Sequence, residues 1–278
     1  MSCDEVNLNA LANAAAESVE IGTSALCRSM LERHRATIST QKPAVAIRRL
    51  VAIVTAVLEL ANRKGFQAMS LRDLAQASGT SMGGLYAYFD SKTTLLRMIL
   101  EEVGATVAGT LGNPPPEVAA EPRRHLFWLI ETHLRLTEAL LPWFVFAFME
   151  AKNFPAAERR MAVESEESTE RYFTEVIARG IAEGQFRPDT SPLLPALIKP
   201  LLQDWYVKRQ KYRRRGVTLE SYIEAVQSIA LDGCSARGSD ATAGEPAARR
   251  AGVQNLENGR RGFRPSGAPR PRPGRHVR

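Results

Sequence analysis

Apolar residues recur at intervals of three and four over most of the chain between residues 43 and 233, which is the spacing of an amphipathic helix. In the first such segment the apolar positions are Ile47, Leu50, Val51, Val54, Leu58 and Ala61. Gly65 follows them and is a typical helix stop. Short helices are predicted at Leu71–Ala77 and Ser81–Tyr88, and Ser91 can cap a further helix. The sequence lacks the alternating pattern and hairpin signals of strands, so an all-α fold is predicted.

A second helical region begins beyond three consecutive prolines, Pro114 to Pro116. The helices predicted there cover Pro122–Leu140, Trp143–Lys152, Ala156–Glu183, Pro192–Arg213 and Leu219–Leu231. Ser191 followed by Pro192 is a favourable helix start, because proline suits the first turn. The pattern therefore divides the central chain into two helical domains, residues 43–104 and 105–233.

The two ends of the chain differ from this centre. Residues 1–42 carry only weak apolar stripes, with short helices predicted at Leu8–Val19 and Ser24–Ala36. The alternative is a frayed extension, or a chain whose true start is Met30. We expect a partly disordered N-terminal extension. Residues 234–278 are rich in Arg, Pro and Gly and hold too few bulky apolar groups to form a core, which predicts a disordered tail.

The chain of 278 residues has 44% hydrophobic and 24% charged residues, ordinary values for a soluble globular protein. Its net charge of +7 is located in the tail, since residues 235–278 carry ten Arg against three acidic residues. The other 234 residues hold 27 basic and 27 acidic side chains. The charge alone therefore does not show that the folded part binds DNA. A tail that binds nucleic acid without sequence preference is the alternative function.

Several classes of protein are excluded by what the sequence lacks. The longest uncharged apolar run, Ala139 to Met149, is too short for a membrane span, and acidic residues occupy the place of a signal peptide's positive charge. The three cysteines have no disulfide or metal-ligand spacing, and we expect no metal and no cofactor. Common catalytic motifs are also missing. These observations predict a cytoplasmic protein that is not an enzyme and does not bind membranes.

The most informative segment runs from Ser70 to Lys92, with the sequence SLRDLAQASGTSMGGLYAYFDSK. A short helix is followed by a tight turn at Gly79, where glycine can adopt the positive φ that joins two helices steeply. A second short helix then follows, with Leu85 and Phe89 predicted to face the core. This is the pattern of a helix-turn-helix, whose second helix fits the major groove of DNA.

On these residues the sequence resembles the tetracycline-repressor (TetR/AcrR) family of bacterial transcription regulators. The resemblance covers about 60 residues, and Thr80 stands where an apolar residue is usual. The matching residues are Arg63-Lys64-Gly65-Phe66, Ser70-Leu71-Arg72-Asp73-Leu74-Ala75, Ser78-Gly79-Thr80-Ser81, Gly84-Leu85-Tyr86-Ala87-Tyr88-Phe89, Ser91-Lys92 and Leu95-Leu96. The resemblance implies a ligand-responsive regulator, expected to be a repressor, that binds palindromic double-stranded DNA as a homodimer and is released by a small molecule. Whether it represses or activates is open at this point.

The resemblance also implies a set of DNA contacts. Tyr86 and Lys92 are expected to touch phosphates, and the residues expected at the groove are Thr80, Ser81, Met82, Gly83 and Ala87. Ser70 and Arg72 open the preceding helix and are predicted to reach the other strand's backbone. The second helix has no Arg, Asn or Gln for paired hydrogen bonds with a base, so we expect methyl contacts to thymine and shape readout. Helix packing is the alternative role of the two glycines, and Tyr88 fits either the core or DNA.

The C-terminal domain is expected to bind the effector. Its predicted pocket residues are Trp128, His133, Phe144, Phe148 and Phe173, and nearby His125, Glu131 and Glu138 are possible polar anchors. This composition favours an apolar or amphipathic molecule, with an acyl-type compound as one candidate. The alternative is that these aromatic residues simply form the core.

Dimerisation is implied for the last two helices. The apolar residues predicted at the seam are Leu197, Leu201, Trp205, Tyr222, Val226 and Ile229. The segment from Lys208 to Arg215 carries six basic residues in eight positions. It is interpreted either as a solvated helix end or as an anion site.

Overall fold

A computed structural model describes residues 22–38 and 42–235 of the chain. Within these ranges the protein is helical and contains no strand, which confirms the predicted all-α class. No helix in these ranges is both long and apolar enough to cross a membrane. The α-helices are α1 (Thr23–Arg33), α2 (Pro43–Lys64), α3 (Leu71–Ser78), α4 (Met82–Tyr86), α5 (Lys92–Leu111), α6 (Pro116–Ala119), α7 (Pro122–Ala139), α8 (Leu141–Met149), α9 (Ala156–Ala182), α10 (Leu194–Val207), α11 (Arg209–Arg214) and α12 (Leu219–Cys234), with a 3₁₀ turn at Ala151–Asn153.

Helices α2 to α5 form the N-terminal head and arise from the signals seen in the sequence. Helix α2 starts with Pro43 and ends at Gly65, whose φ of 81° is in the region that favours glycine. Leu50, Ile53 and Val54 on its inner face are fully buried. The head is therefore built around one long amphipathic helix that supports the two short ones.

Helix α1 adds a further element before α2. Its side chains Leu26, Cys27 and Met30 are buried, and it packs on α2 and α5. A helix was predicted here at Ser24–Ala36, so this part of the N-terminal extension belongs to the folded core. The predicted helix Leu8–Val19 lies outside the described residues.

Helices α7 to α12 form the C-terminal body, with Trp143, Phe173 and Trp205 fully buried at its centre. The prediction of one helix over Pro192–Arg213 was wrong, because the chain leaves helical geometry at Lys208 and divides this segment into α10 and α11. The sequence offers no Gly or Pro at this break. The predicted disordered tail lies outside the described residues, except for Cys234 and Ser235.

Candidate nucleic-acid interface and internal cavity

Helix α3 begins with a complete capping box. Asp73 N donates to Ser70 Oγ at 3.1 Å, and Ser70 N donates to the Asp73 carboxylate at 2.8 Å. Hydrogen bonds from Lys64 and then from Ser70 hold the pKa of Asp73 well below its usual value. Ser70 therefore has its hydroxyl engaged at the helix start, whereas Arg72 beside it is exposed.

The turn between α3 and α4 has the predicted geometry. Gly79 adopts the left-handed conformation with φ 63° and ψ 26°, which lets α4 leave α3 at a steep angle. Ser81 caps α4 by accepting a hydrogen bond from Gly84 N at 3.1 Å. The segment from Ser70 to Tyr86 is thus a helix-turn-helix with both of its helices capped.

Helix α4 has one buried and one exposed face. Leu85 is fully buried, while the Tyr86 side chain is 53% exposed and Gly83 is open to solvent. Met82 and Ala87 are partly buried beside this exposed face. The structure thus brings together most residues predicted at the groove. Tyr88 is buried, which assigns it to the core rather than to the exposed face.

Thr80 differs from its predicted place at the groove, because it is only 8% exposed. A Cβ atom on Gly84 would lie 2.8 Å from Thr80 Cγ2, closer than real Cβ contacts come. The turn and α4 are therefore packed so tightly here that Gly84 has no room for a side chain. The helix-packing interpretation applies to Gly84, whereas no atom of the described residues lies within 4 Å of the corresponding position of Gly83.

Lys92 forms three hydrogen bonds within the protein. Its Nζ donates to the carbonyl oxygens of Phe66, Gln67 and Met69 at 3.1, 2.9 and 3.0 Å. An ammonium group has three donors, so all of them are used in holding the loop between α2 and α3. The position of Lys92 thus favours fixing this loop over a direct phosphate contact.

The same loop docks onto the C-terminal body. Phe66 N donates to Glu150 Oε2 at 3.0 Å, and the Phe66 ring packs edge-on against Phe146 and Phe154. Gln67 Nε2 donates to the carbonyl oxygen of Asn153 at 2.7 Å. The end of α8 and the 3₁₀ turn are therefore fastened to the head.

A cavity of about 100 Å³, partly open to solvent, lies in the C-terminal body and is walled by helices α5, α7, α8, α9 and α10. Its lining residues include Leu100, Val103, Val107, His133, Phe144, Phe148, Met161, Glu166, Thr169, Lys199, Gln203 and Tyr206. Three predicted pocket residues, His133, Phe144 and Phe148, are thus brought together. Because α5 begins at the end of the helix-turn-helix, one wall of the cavity continues directly into the head.

Two predicted pocket residues do not line this cavity. Phe173 is fully buried in the core, and Trp128 is partly buried with its ring 6.0 Å from that of His125. The core alternative therefore applies to Phe173. The other suggested anchors have their own partners, since Arg179 contacts His125, Arg135 pairs with Glu131, and Arg209 pairs with Glu138.

The most unusual residue in the cavity is Lys199, which is only 7% exposed. Its Nζ lies 3.3 Å from His133 Nε2, and no carboxylate oxygen of the described residues lies within 4 Å of it. Burial lowers the pKa of Lys199 to about 8, although Glu166 and Glu170 act in the opposite direction. Burial, and then the Lys199 charge, holds the pKa of His133 well below its usual value. Lys199 was not predicted from the sequence, although it is the one charged residue of the apolar run PLLPALIKPLL.

A wider cleft of about 1130 Å³ opens between α2, α8 and the α10–α11 segment. Three of its charged groups already have partners, since Arg209 binds Glu138 through two nitrogens and Glu150 accepts from Phe66. In the basic segment at Lys208–Arg215, Lys208 and Lys211 both contact Asp204 as well. This pairing favours the interpretation of a structured helix end over an anion site.

The last two long helices carry exposed apolar residues. Leu193, Leu197 and Ile229 are 64%, 60% and 53% exposed. Of the predicted seam residues, Trp205 and Val226 are instead buried within the protomer, and Tyr222 donates its hydroxyl to the Leu201 carbonyl. The exposed apolar surface thus comprises Leu193, Leu197 and Ile229.

A helix-turn-helix head on a helical body defines the class of DNA-binding transcription regulators. The family model described as "Bacterial regulatory proteins, tetR family" matches residues 53–99. The HTH-type transcriptional repressor KstR2 of Rhodococcus jostii (strain RHA1) is 30% identical over 175 residues, which are 61% of this chain and 83% of that protein. The chain therefore belongs to the TetR family of transcriptional regulators, as its motif residues indicated.

Solved structures share the fold. A tetR-family regulatory protein from Rhodococcus RHA1 superposes with a TM-score of 0.60 at 18% identity, covering 71% of this chain and all of that one. FadR from Bacillus subtilis, solved in complex with stearoyl-CoA, has a TM-score of 0.52 at 16% identity and covers 66% and 97% of the two chains. At these identities the likeness concerns the fold.

Proposed function

We propose that this TetR-family regulator is a repressor that binds a palindromic operator as a homodimer and is released by a small apolar or amphipathic molecule. The observation that carries the proposal is the continuity of α5, which starts beside the helix-turn-helix and forms a wall of the internal cavity. The relationship to a protein named a repressor supports the direction of control. The domains proposed are a DNA-binding head at 43–104, which α1 supports, and an effector-binding and dimerisation body at 105–233.

DNA contact is proposed for the exposed face of α4. Tyr86 donates its hydroxyl to a phosphate, Gly83 allows the helix backbone to approach the bases, and Met82 and Ala87 offer apolar contacts to thymine methyl groups. Ser70, Arg72 and Ser81 stand at helix starts, where backbone N–H groups also favour phosphate. Thr80 and Lys92 act mainly by holding the turn and the preceding loop in position.

Dimerisation is proposed through α10 and α12. Leu197 and Ile229 expose apolar surface on these two helices, and burial of such a patch between two protomers is favourable. A two-fold dimer presents two α4 helices to successive major grooves about 34–36 Å apart. The palindromic form of the operator follows from this symmetry.

Release is proposed to follow from filling the cavity. A molecule that fills more than the available volume of about 100 Å³ between the helices would push them apart. Helix α8 places Phe144 and Phe148 in the cavity wall and Glu150 against the head, so displacement of α8 reaches the loop that Lys92 holds. A coupling free energy of about 1–3 kcal/mol would change operator affinity about 5- to 150-fold. An acyl-type compound, the class bound in the FadR complex, is one candidate.

The test begins with selection of bound sequences from random duplex DNA by the purified protein. Tyr86→Ala is then expected to abolish binding to the selected operator, and Tyr86→Phe to weaken it about fivefold because a single phosphate hydrogen bond is lost. The matched control is Tyr88→Phe, since the Tyr88 hydroxyl is buried and has no hydrogen-bond partner in the described part of the chain. This control should bind DNA like the parent protein. Unchanged operator affinity in Tyr86→Ala would contradict the assignment of α4 to the groove.

A further inference from the structure

Lys199 is a charged group held in a place where charge is costly. A buried ammonium ion needs a counter-charge, and ion pairs with carboxylates are the usual solution. Lys199 Nζ instead lies 3.3 Å from Nε2 of the neutral His133 ring, in a cavity lined mainly by apolar side chains. The residues that the structure describes thus keep a buried positive charge without a carboxylate in direct contact with it.

His133 provides a second, independent observation at the same place. The residue is 1% exposed, and its Nδ1 is buried without a hydrogen-bond partner among residues 22–38 and 42–235. Since Nε2 faces the Lys199 ammonium and accepts from it, the ring proton is on Nδ1, which is an unused donor. Buried donors without partners are rare in folded proteins and indicate a group that is satisfied by something else.

The acidic residues near Lys199 do not serve as its counter-ion. Glu166 lines the cavity, but its carboxylate accepts a hydrogen bond from Gln203 and stays more than 4 Å from the Lys199 ammonium. Glu170 is farther along α9 and acts on Lys199 only at longer range. Burial lowers the pKa of Lys199 to about 8 and these two charges oppose that shift, so the ammonium form still predominates at neutral pH.

We propose that the effector of this regulator carries a carboxylate, which pairs with Lys199 while an apolar body packs against the α5 and α8 walls. The walls at Leu100, Val103 and Phe144 suit an aliphatic or aromatic body. The effector class is therefore a small amphipathic carboxylic acid. This inference rests on the proposed function, because it names the ligand of the same cavity.

The direct test is calorimetric titration of the full-length, DNA-free protein with hexanoate, octanoate, benzoate and 3-phenylpropanoate, each beside its primary amide. At least one acid is expected to bind ten times more tightly than its amide. Lys199→Met should remove this preference, whereas Lys152→Met, which changes an exposed lysine, should keep it. Binding of none of the acids, equal binding of acid and amide, or a preference that survives in Lys199→Met would each overturn the proposal.

Thermal unfolding without ligand separates this role from a structural one. Because Lys199→Met replaces a buried, unpaired charge by an apolar side chain, its melting temperature should equal or exceed that of the parent. If Lys199→Met fails to fold, Lys199→Gln repeats both measurements with an uncharged polar side chain. Loss of stability in both variants together with an intact preference for acids would assign Lys199 a structural role and overturn the inference.

Operator binding is measured separately in the absence of any acid. If the protein binds its selected operator but none of the acids, the proposed regulatory function is supported and the carboxylate effector is contradicted. If the protein binds an acid through Lys199 but no duplex DNA, the carboxylate ligand is supported and the proposed regulatory function is contradicted.

Discussion

Two adjacent glycines in α4 lie in different surroundings, so adding a methyl group to each has opposite consequences. Gly84→Ala would place Cβ 2.8 Å from Thr80 Cγ2 and 3.2 Å from Ser81 Oγ. Such overpacking is expected to lower the free energy of unfolding by about 1–3 kcal/mol. Urea unfolding followed by circular dichroism measures this change.

Gly83→Ala is the matched substitution at an open position. It is expected to keep stability or raise it by up to about 1 kcal/mol, because alanine is the better helix former. Its methyl group would stand on the face proposed to approach DNA, so operator affinity should fall at least tenfold. An equal loss of stability in both variants would contradict the packing described at Gly84.

At this scale the sequence predicted residues whose roles are local. The Gly79 turn depends on neighbouring backbone and was found as expected, and the Ser70–Asp73 capping box is a local feature of the same kind. The burial of Thr80 against Gly84 was not foreseen although both residues are close in sequence, and Lys199 was not foreseen because its surroundings come from distant parts of the chain. Burial of Lys199 against His133 joins residues 66 positions apart, which no local pattern encodes.

Among the elements, α1 is held by an ion pair with α5. Arg33 Nε lies 3.4 Å from Glu102 Oε2, and Glu102 is only 2% exposed. Arg33→Ala is expected to lower the free energy of unfolding by about 1–2 kcal/mol, since a buried carboxylate loses its partner while water still reaches the Arg33 side. Urea denaturation of the full-length protein provides the measurement.

The control for this ion pair is Arg124→Ala. Arg124 pairs with Glu121 on the surface, where both side chains are well exposed, so the change should stay within about 0.5 kcal/mol. Equal effects of the two substitutions would show that α1 contributes no more than a surface contact.

Helix existence was easier to predict than helix ends. The apolar spacing located α2, α7, α9 and α12 because their buried faces recur at the helical period. The break at Lys208 was missed, since Asp204, Lys211 and the aromatic packing of Tyr212 on Trp205 stabilise a change of direction that has no sequence marker. Tertiary contacts, not helix propensity, divide this segment.

For the whole molecule, dimerisation can be tested at the exposed apolar surface. The double substitution Leu197→Glu with Ile229→Glu should shift the protein from dimer to monomer in analytical ultracentrifugation, because it places charges in the proposed interface. Operator affinity should fall at least a hundredfold as the two half-sites become independent. Val163→Glu, at another exposed apolar position, should leave the dimer intact. A double variant that remains dimeric would contradict the interface.

The basic tail offers a test of the alternative function. Deletion of residues 236–278 removes ten Arg and leaves α12 intact. Operator-specific binding should remain within about threefold, while binding to unrelated DNA should weaken and depend less on salt. Titrations of both DNAs at two salt concentrations measure the effect. Loss of all binding on deletion would favour a protein that acts through its tail.

Helix α8 is a rod of nine residues, about 13 Å long, with the cavity at its aromatic side and the head at its last turn. If the helix moves as one piece, its displacement increases with the volume of what fills the cavity. A bulky acid would then act as a full inducer. In the proposed repressor, a slim acid that binds Lys199 without displacing α8 would act as an antagonist, and the operator would stay bound.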